Sequence, residues 1–150
     1  MNNPTLQSVL RLLQSAQLIE ARLAGEFSSI HGLSVNELFL LMQLEQAPLR
    51  RLTRVELAKR LSMSASTVTR MATPMEKLGL VTREADARDA RLAFVVLTKA
   101  GAKKVKEAKA TFAKQANYVF RDRWREKEIQ QLSNLLSRLV ADSPGDLTKA

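Results

Sequence analysis

Apolar positions three and four residues apart run from Val9 through Leu12, Ala16, Ile19, Leu23 and Phe27 to Ile30, the spacing of one helical face over 5–30. The first half of that segment carries a second stripe, Leu6, Leu10 and Leu13. A helix with two apolar faces needs two covering surfaces, supplied either within one subunit or by a second copy of the chain. Gly32 predicts a helix stop, and Ser34 with Glu37 has the spacing of a capping box that opens a helix of about a dozen residues before Pro48. Thr53 with Glu56 repeats that spacing ahead of a short helix on which Val55, Leu57, Ala58 and Leu61 are expected to face one way. Ser62 and Ser64 are candidate N-caps for the next helix, and Gly79 is its expected stop.

From Leu80 the period changes to two. Residues 81–84 and 92–98 read as two strands joined by a polar loop with no two-residue turn signal, so a long hairpin is predicted. Thr98 is placed to cap a long helix with a stripe at Val105, Ala108, Phe112, Ala116 and Val119, about 39 Å long if it continues to Arg125. A last helix carries Ile129, Leu132, Leu135, Leu136, Leu139 and Val140, and the remaining residues are expected to fray.

Charge divides the chain. Of 24 Lys and Arg against 15 Asp and Glu, residues 47–106 hold 14 basic and 5 acidic side chains, so the whole net charge of +9 lies there and the flanks are neutral. A basic centre framed by neutral elements suits a polyanion-binding module, although a solvated lysine-rich surface has the same composition. With no cysteine and a single histidine, the chain has no thiol nucleophile, disulfide, thiol redox sensor, thiolate metal site or histidine-rich metal site. No glycine-rich phosphate loop is present, so no catalytic residue, metal site or cofactor is assigned and a non-enzyme is expected. No apolar run reaches the roughly 20 residues that span a bilayer, and a cytoplasmic protein without a membrane partner is expected.

Two short helices with a tight connection, followed directly by a basic hairpin, make a winged helix-turn-helix within a mainly α (α+β) fold. Its second helix would enter a major groove. Ser64, Ala65, Ser66, Thr67, Thr69, Arg70 and Thr73 are the outward candidates for contact with double-stranded DNA, while Val68, Met71 and Met75 pack inward. For Ser64, capping is the preferred role. Arg70 is the one residue there able to pair bidentately with guanine, and Arg88 adds a cation to the loop of the hairpin. Pro74 removes an amide bond to the Arg70 carbonyl, which costs about 3 kcal/mol in an ordinary helix interior. The helix is therefore expected either to bend after Thr73 or to end early and restart at Met75.

Residues 56–81 followed by 79–101 resemble the MarR (multiple antibiotic resistance regulator) family of bacterial transcription regulators. In the second block Gly-Leu-Val, then Arg83, then Asp89 and Arg91 as Asp-x-Arg, then Leu97, Thr98 and Gly101 recur at the spacing of the family's wing. The resemblance implies a two-stranded wing and a homodimer of interlocked flanking helices. The corresponding division is an N-terminal dimerisation helix over 1–32, a DNA-binding domain over 33–99, C-terminal dimerisation helices over 100–144 and a flexible tail over 145–150. It also implies a regulator, most often a repressor, on a pseudo-palindromic operator, with Arg91 in the minor groove and Asp89 orienting the wing through an arginine; Arg83 matches the family's first-strand arginine. Family members commonly respond to small aromatic or phenolic anions held between the dimerisation helices and the winged domain. His31, Phe39 and Met42 lie near that junction, where Phe39 and Met42 fit core packing equally well. The alternative to a sequence-specific regulator is a non-sequence-specific winged-helix architectural or RNA-binding protein.

Overall fold

The computed structural model describes residues 3–89 and 91–149. Met1, Asn2, Ala90 and Ala150, which fall within the domain bounds and wing loop read from the sequence, lie outside the described residues. Among the described residues six α-helices and three short strands follow in the order α1 (Pro4–His31), α2 (Val35–Gln46), β1 (Arg51–Thr53), α3 (Arg54–Leu61), α4 (Ala65–Lys77), β2 (Val81–Ala85), β3 (Ala93–Leu97), α5 (Lys99–Phe120) and α6 (Glu126–Val140).

Local chemistry sets these boundaries. Gly32 closes α1 at φ 65°, a conformation that suits a residue without Cβ. Ser34 with Glu37 and Thr53 with Glu56 both form reciprocal capping boxes. Thr98 caps α5 by accepting from the Gly101 amide at 3.0 Å, and its hydroxyl also approaches the Gly79 and Leu80 carbonyls at 2.6 and 3.0 Å. Gly101 lies so close to the Leu80 carbonyl that a Cβ there would overlap it. This explains a glycine three residues into a helix, where its propensity is poor.

The core lies between α2, α3, α4 and the sheet. Leu40, Leu41, Leu44, Leu57, Val68, Met75 and Val105 are fully buried, with Leu52, Val81, Val95 and Leu97 closing the layer from the strands. The sheet has the order β1-β3-β2, antiparallel throughout. The wing is therefore a two-stranded hairpin backed by a third strand, β1, which was not expected.

Other expectations are corrected. Val55 is 59% exposed and does not share the inward face of Leu57. Ser62 is the left-handed C-cap of α3, at φ 55°, and leaves the N-cap of α4 to Ser64. Helix α4 runs unbroken from Ala65 through Pro74 to Lys77, so it does not end early. Helix α5 stops at Phe120, where Arg121 takes φ 42°, short of Arg125. The tail expected to be flexible is docked. Gln43 Nε2 donates to the Gly145 carbonyl at 2.8 Å, Gln46 Nε2 donates to the Leu147 carbonyl at 3.0 Å, and Gly145 presses on the Arg60 carbonyl where a Cβ would not fit.

The flanking helices are different. On α1 only Leu23 and Phe27 are buried, against α5 and α2, while Leu6, Val9, Leu10, Leu12 and Leu13 stay exposed. Helix α6 buries none of its residues and presents Leu135, Leu139 and Val140 outward. No described helix is long and apolar enough to cross a membrane.

Candidate nucleic-acid interface

Helix α4 packs through Val68, Ala72 and Met75, with Met71 half-buried beside them. This leaves Ser66 and Arg70 exposed and Ala65, Thr67, Thr69 and Thr73 half-buried on the opposite side. The hydroxyls form a chain along the helix. Ser64 Oγ accepts from the Thr67 amide at 3.2 Å and lies 3.1 Å from Ser66 Oγ and 2.8 Å from Thr67 Oγ1. Capping is thus the role the geometry gives Ser64. Arg70 Nη2 donates to Thr67 Oγ1 at 3.3 Å, and Thr73 Oγ1 donates to the Thr69 carbonyl at 2.8 Å. The Thr73 bond occupies a carbonyl in the turn that precedes Pro74.

The wing is tied to this helix by charge. Arg83 on β2 meets Glu76 near the end of α4 at 3.0 Å. Arg51 on β1 bridges to Glu84 on β2 at 3.0 Å, and its guanidinium lies 4.3 Å from the centre of the Phe94 ring on β3, so one side chain clamps all three strands. At the loop, Asp86 Oδ1 accepts the Arg88 amide at 2.8 Å, leaving the Arg88 side chain exposed. Asp89 Oδ1 accepts both the amide of Arg91 at 3.0 Å and its Nε at 3.2 Å. The arginine partner of Asp89 is therefore Arg91 itself, two residues on, and Arg83 is engaged by Glu76 instead. Arg91 remains 92% exposed, so solvent screens the pair heavily.

Three candidates lie apart from this surface, at the junction of α1, α2 and α5. His31 Nε2 and Thr111 Oγ1 share a hydrogen bond of 2.7 Å, and the His31 ring lies 5.2 Å from that of Phe27. Phe112 makes edge contacts with Phe27 at 6.2 Å and with Phe39 at 6.4 Å, which brings His31 and Phe39 into one aromatic cluster. Met42, like Phe112, packs against the core that contains Phe27.

Sequence reasoning missed Arg54, whose Nη1 donates to Thr69 Oγ1 at 2.7 Å, and the partners Glu76 and Glu84. A basic residue directly after the N-cap Thr53 was the available signal for Arg54, because a cation at a helix N-terminus opposes the helix dipole.

Residues 33–92, the span from the start of α2 to the wing loop, match the model of the MarR family. No curated protein matches the chain. A MarR family transcriptional regulator from Streptomyces coelicolor, solved in complex with DNA, is 26% identical over 95% of this chain and 92% of its own, with a TM-score of 0.79. The YusO protein of Bacillus subtilis is 27% identical over 95% of this chain and 99% of its own, at a TM-score of 0.62. Wild-type MarR from E. coli, 24% identical over 87% of this chain and 94% of its own, shares the fold at a TM-score of 0.74. The winged segment thus matches the MarR family model, and along most of its length the chain shares its fold with solved MarR family transcriptional regulators.

Proposed function

We propose that this protein is a homodimeric, sequence-specific DNA-binding regulator, a ligand-responsive repressor on a pseudo-palindromic operator. The observation that carries the reading is α4. It is a helix backed by buried Val68, Ala72 and Met75, with Arg70 and a row of small hydroxyl side chains outward, and Glu76–Arg83 ties it to the wing that carries Arg88 and Arg91. Small side chains permit close approach to base edges, and the bond Arg70 makes within the chain is to a hydroxyl, so no carboxylate competes with a nucleic-acid acceptor for it. Ser66, Thr67 and Arg70 then face the major groove, with Ala65 and Thr73 beside them, while Arg88 and Arg91 reach the backbone and minor groove from the wing.

In this reading residues 33–99 form the DNA-binding unit, and 1–32 with 100–144 form the dimerisation unit. The uncovered apolar faces of α1 and α6 support that division, since exposed leucine rows of this length mark an interaction surface. The structural relative from Streptomyces coelicolor was solved on DNA, which favours the same partner here. Repression follows from occupying an operator, and relief by a small aromatic or phenolic anion is assigned to the junction of His31, Phe39 and Phe112, where the two units meet.

Selection of binding sites from random duplexes by the full chain, at about 150 mM salt to suppress non-specific affinity, tests this. A two-fold symmetric consensus is expected. Recovery of duplexes without sequence enrichment would instead favour an architectural or RNA-binding role.

A further inference from the structure

Five arginines around α4 and the wing bond other side chains of the described residues, and these five fall into two groups by partner. Arg51, Arg83 and Arg91 each meet a carboxylate, Glu84, Glu76 and Asp89 respectively. Arg54 and Arg70 instead bond hydroxyls, of Thr69 and Thr67, and no carboxylate among the described residues lies within 4.0 Å of either guanidinium. A guanidinium held by a hydroxyl is positioned without being neutralised.

Arg54 is also placed against its own helix. It is the first residue of α3, where the helix dipole disfavours a cation, and the nearby carboxylate of Glu56 is occupied in the capping box with the Thr53 amide at 2.8 Å. The bond from Arg54 Nη1 to Thr69 Oγ1, at 2.7 Å, bridges α3 to the outward side of α4. A guanidinium has five N–H donors in a fixed fork, and this bond uses one of them. Thr69 is committed in turn. Its hydroxyl proton goes to the Ala65 carbonyl at 3.1 Å and one lone pair accepts from Arg54. It has no proton left to offer a base acceptor.

From this geometry we infer that Arg54 is a phosphate-binding residue of the DNA interface and that Thr69, rather than reading a base, is the positioning residue that holds it. This rests on the proposed DNA-binding function and assigns Thr69 a role different from the one its place on α4 suggests.

The test uses the full chain on the duplex it selects, with affinity measured across a series of salt concentrations. Arg54→Ala should weaken all sequences alike and flatten the slope of log affinity against log salt by about 1 per half-site, with base preference unchanged. Thr69→Val keeps the side-chain shape and removes the hydroxyl. It should reproduce part of the Arg54→Ala loss, and the double variant should be no weaker than Arg54→Ala alone. Arg54→Lys, which keeps the charge, should restore the slope. Melting curves of all variants should stay close to the parent's, because Arg54 is exposed and Thr69→Val preserves the shape of a half-buried side chain. An unchanged slope in Arg54→Ala, or a shifted preference at a particular base pair in Thr69→Val, overturns the inference. If the parent chain selects no consensus, the proposed function fails. The Arg54→Ala slope measured on a mixed-sequence duplex still decides the inference about Arg54.

Discussion

The winged unit and the flanking helices are built from the same kinds of residue to opposite effect. Six of the twelve residues of α2 are buried within the chain, whereas none of the fifteen residues of α6 is. Both helices carry leucines at helical spacing. On α2, Leu40, Leu41 and Leu44 meet the strands and α3, while on α6, Leu135 and Leu139 meet solvent, Leu139 at 69% exposure. Periodicity therefore specifies that a helix has an apolar face. It does not specify whether that face is covered by the same chain or by another molecule.

The largest effect should come from the open side of this contrast. Replacing Leu135 and Leu139 together by Asp removes two apolar side chains from the proposed dimer surface. At about 1.5–3 kcal/mol for each buried leucine, association should weaken by more than a hundredfold, read as a concentration-dependent shift to single chains in sedimentation. An unchanged sedimentation profile would mean that no copy covers α6.

On the closed side, Leu41→Ala opens a cavity in a fully buried layer and should cost about 2–5 kcal/mol, measured by denaturant unfolding at fixed protein concentration. Gly101→Ala should cost about 1–3 kcal/mol by forcing α5 away from the Leu80 carbonyl, with the wing amides of β2 and β3 exchanging faster than those of α2. A neutral result there would mean that the junction between wing and long helix yields without cost.

Smaller effects are expected at the tail, which joins the two regions. Removing residues 144–150 takes the Gly145 acceptor from the Gln43 amide and lets water replace it, so the cost should be about 1 kcal/mol, the net worth of a hydrogen bond. Gly145→Val should reproduce most of that loss through overlap with the Arg60 carbonyl. The smallest effect is one of pH. The hydroxyl of Thr148, followed by its amide, holds the Asp146 carboxyl below its ordinary 3.8. A lowered folded value means that this turn is fully stabilised above pH 3.8 and loses that contribution only as pH falls through the lowered value. Protection of the Thr148 amide, corrected for its intrinsic exchange rate, should therefore hold down to pH 3.8 and fall away only as pH drops through the lowered value.

Much of the fold was legible because its signals are local. The capping pairs Ser34–Glu37 and Thr53–Glu56, the αL glycine at 32 and the change of period at Leu80 each act within a few residues, and the helices and hairpin follow from them. What escaped was long-range. Three residues of β1 are too few to show a period of two, and they become a strand only by pairing with Val95 and its neighbours. Gln43 reads as a polar interruption in an apolar helix, since its partner lies 102 positions away. The same limit applied to the interface. The outward residues of α4 could be named from spacing, but the partners that sort the arginines, such as Glu76 for Arg83 and Thr69 for Arg54, are set by how elements pack. Asp89 is instructive in the other direction. The resemblance implies an arginine partner without naming it, and that partner lies two residues away.

Sedimentation equilibrium of the full chain, alone and with a duplex it selects, tests the central claim most directly. The account predicts a particle of twice the 16.8 kDa of one chain, which binds one duplex as a pair. A folded 16.8 kDa particle that persists at micromolar concentration and binds duplex one chain at a time would contradict it.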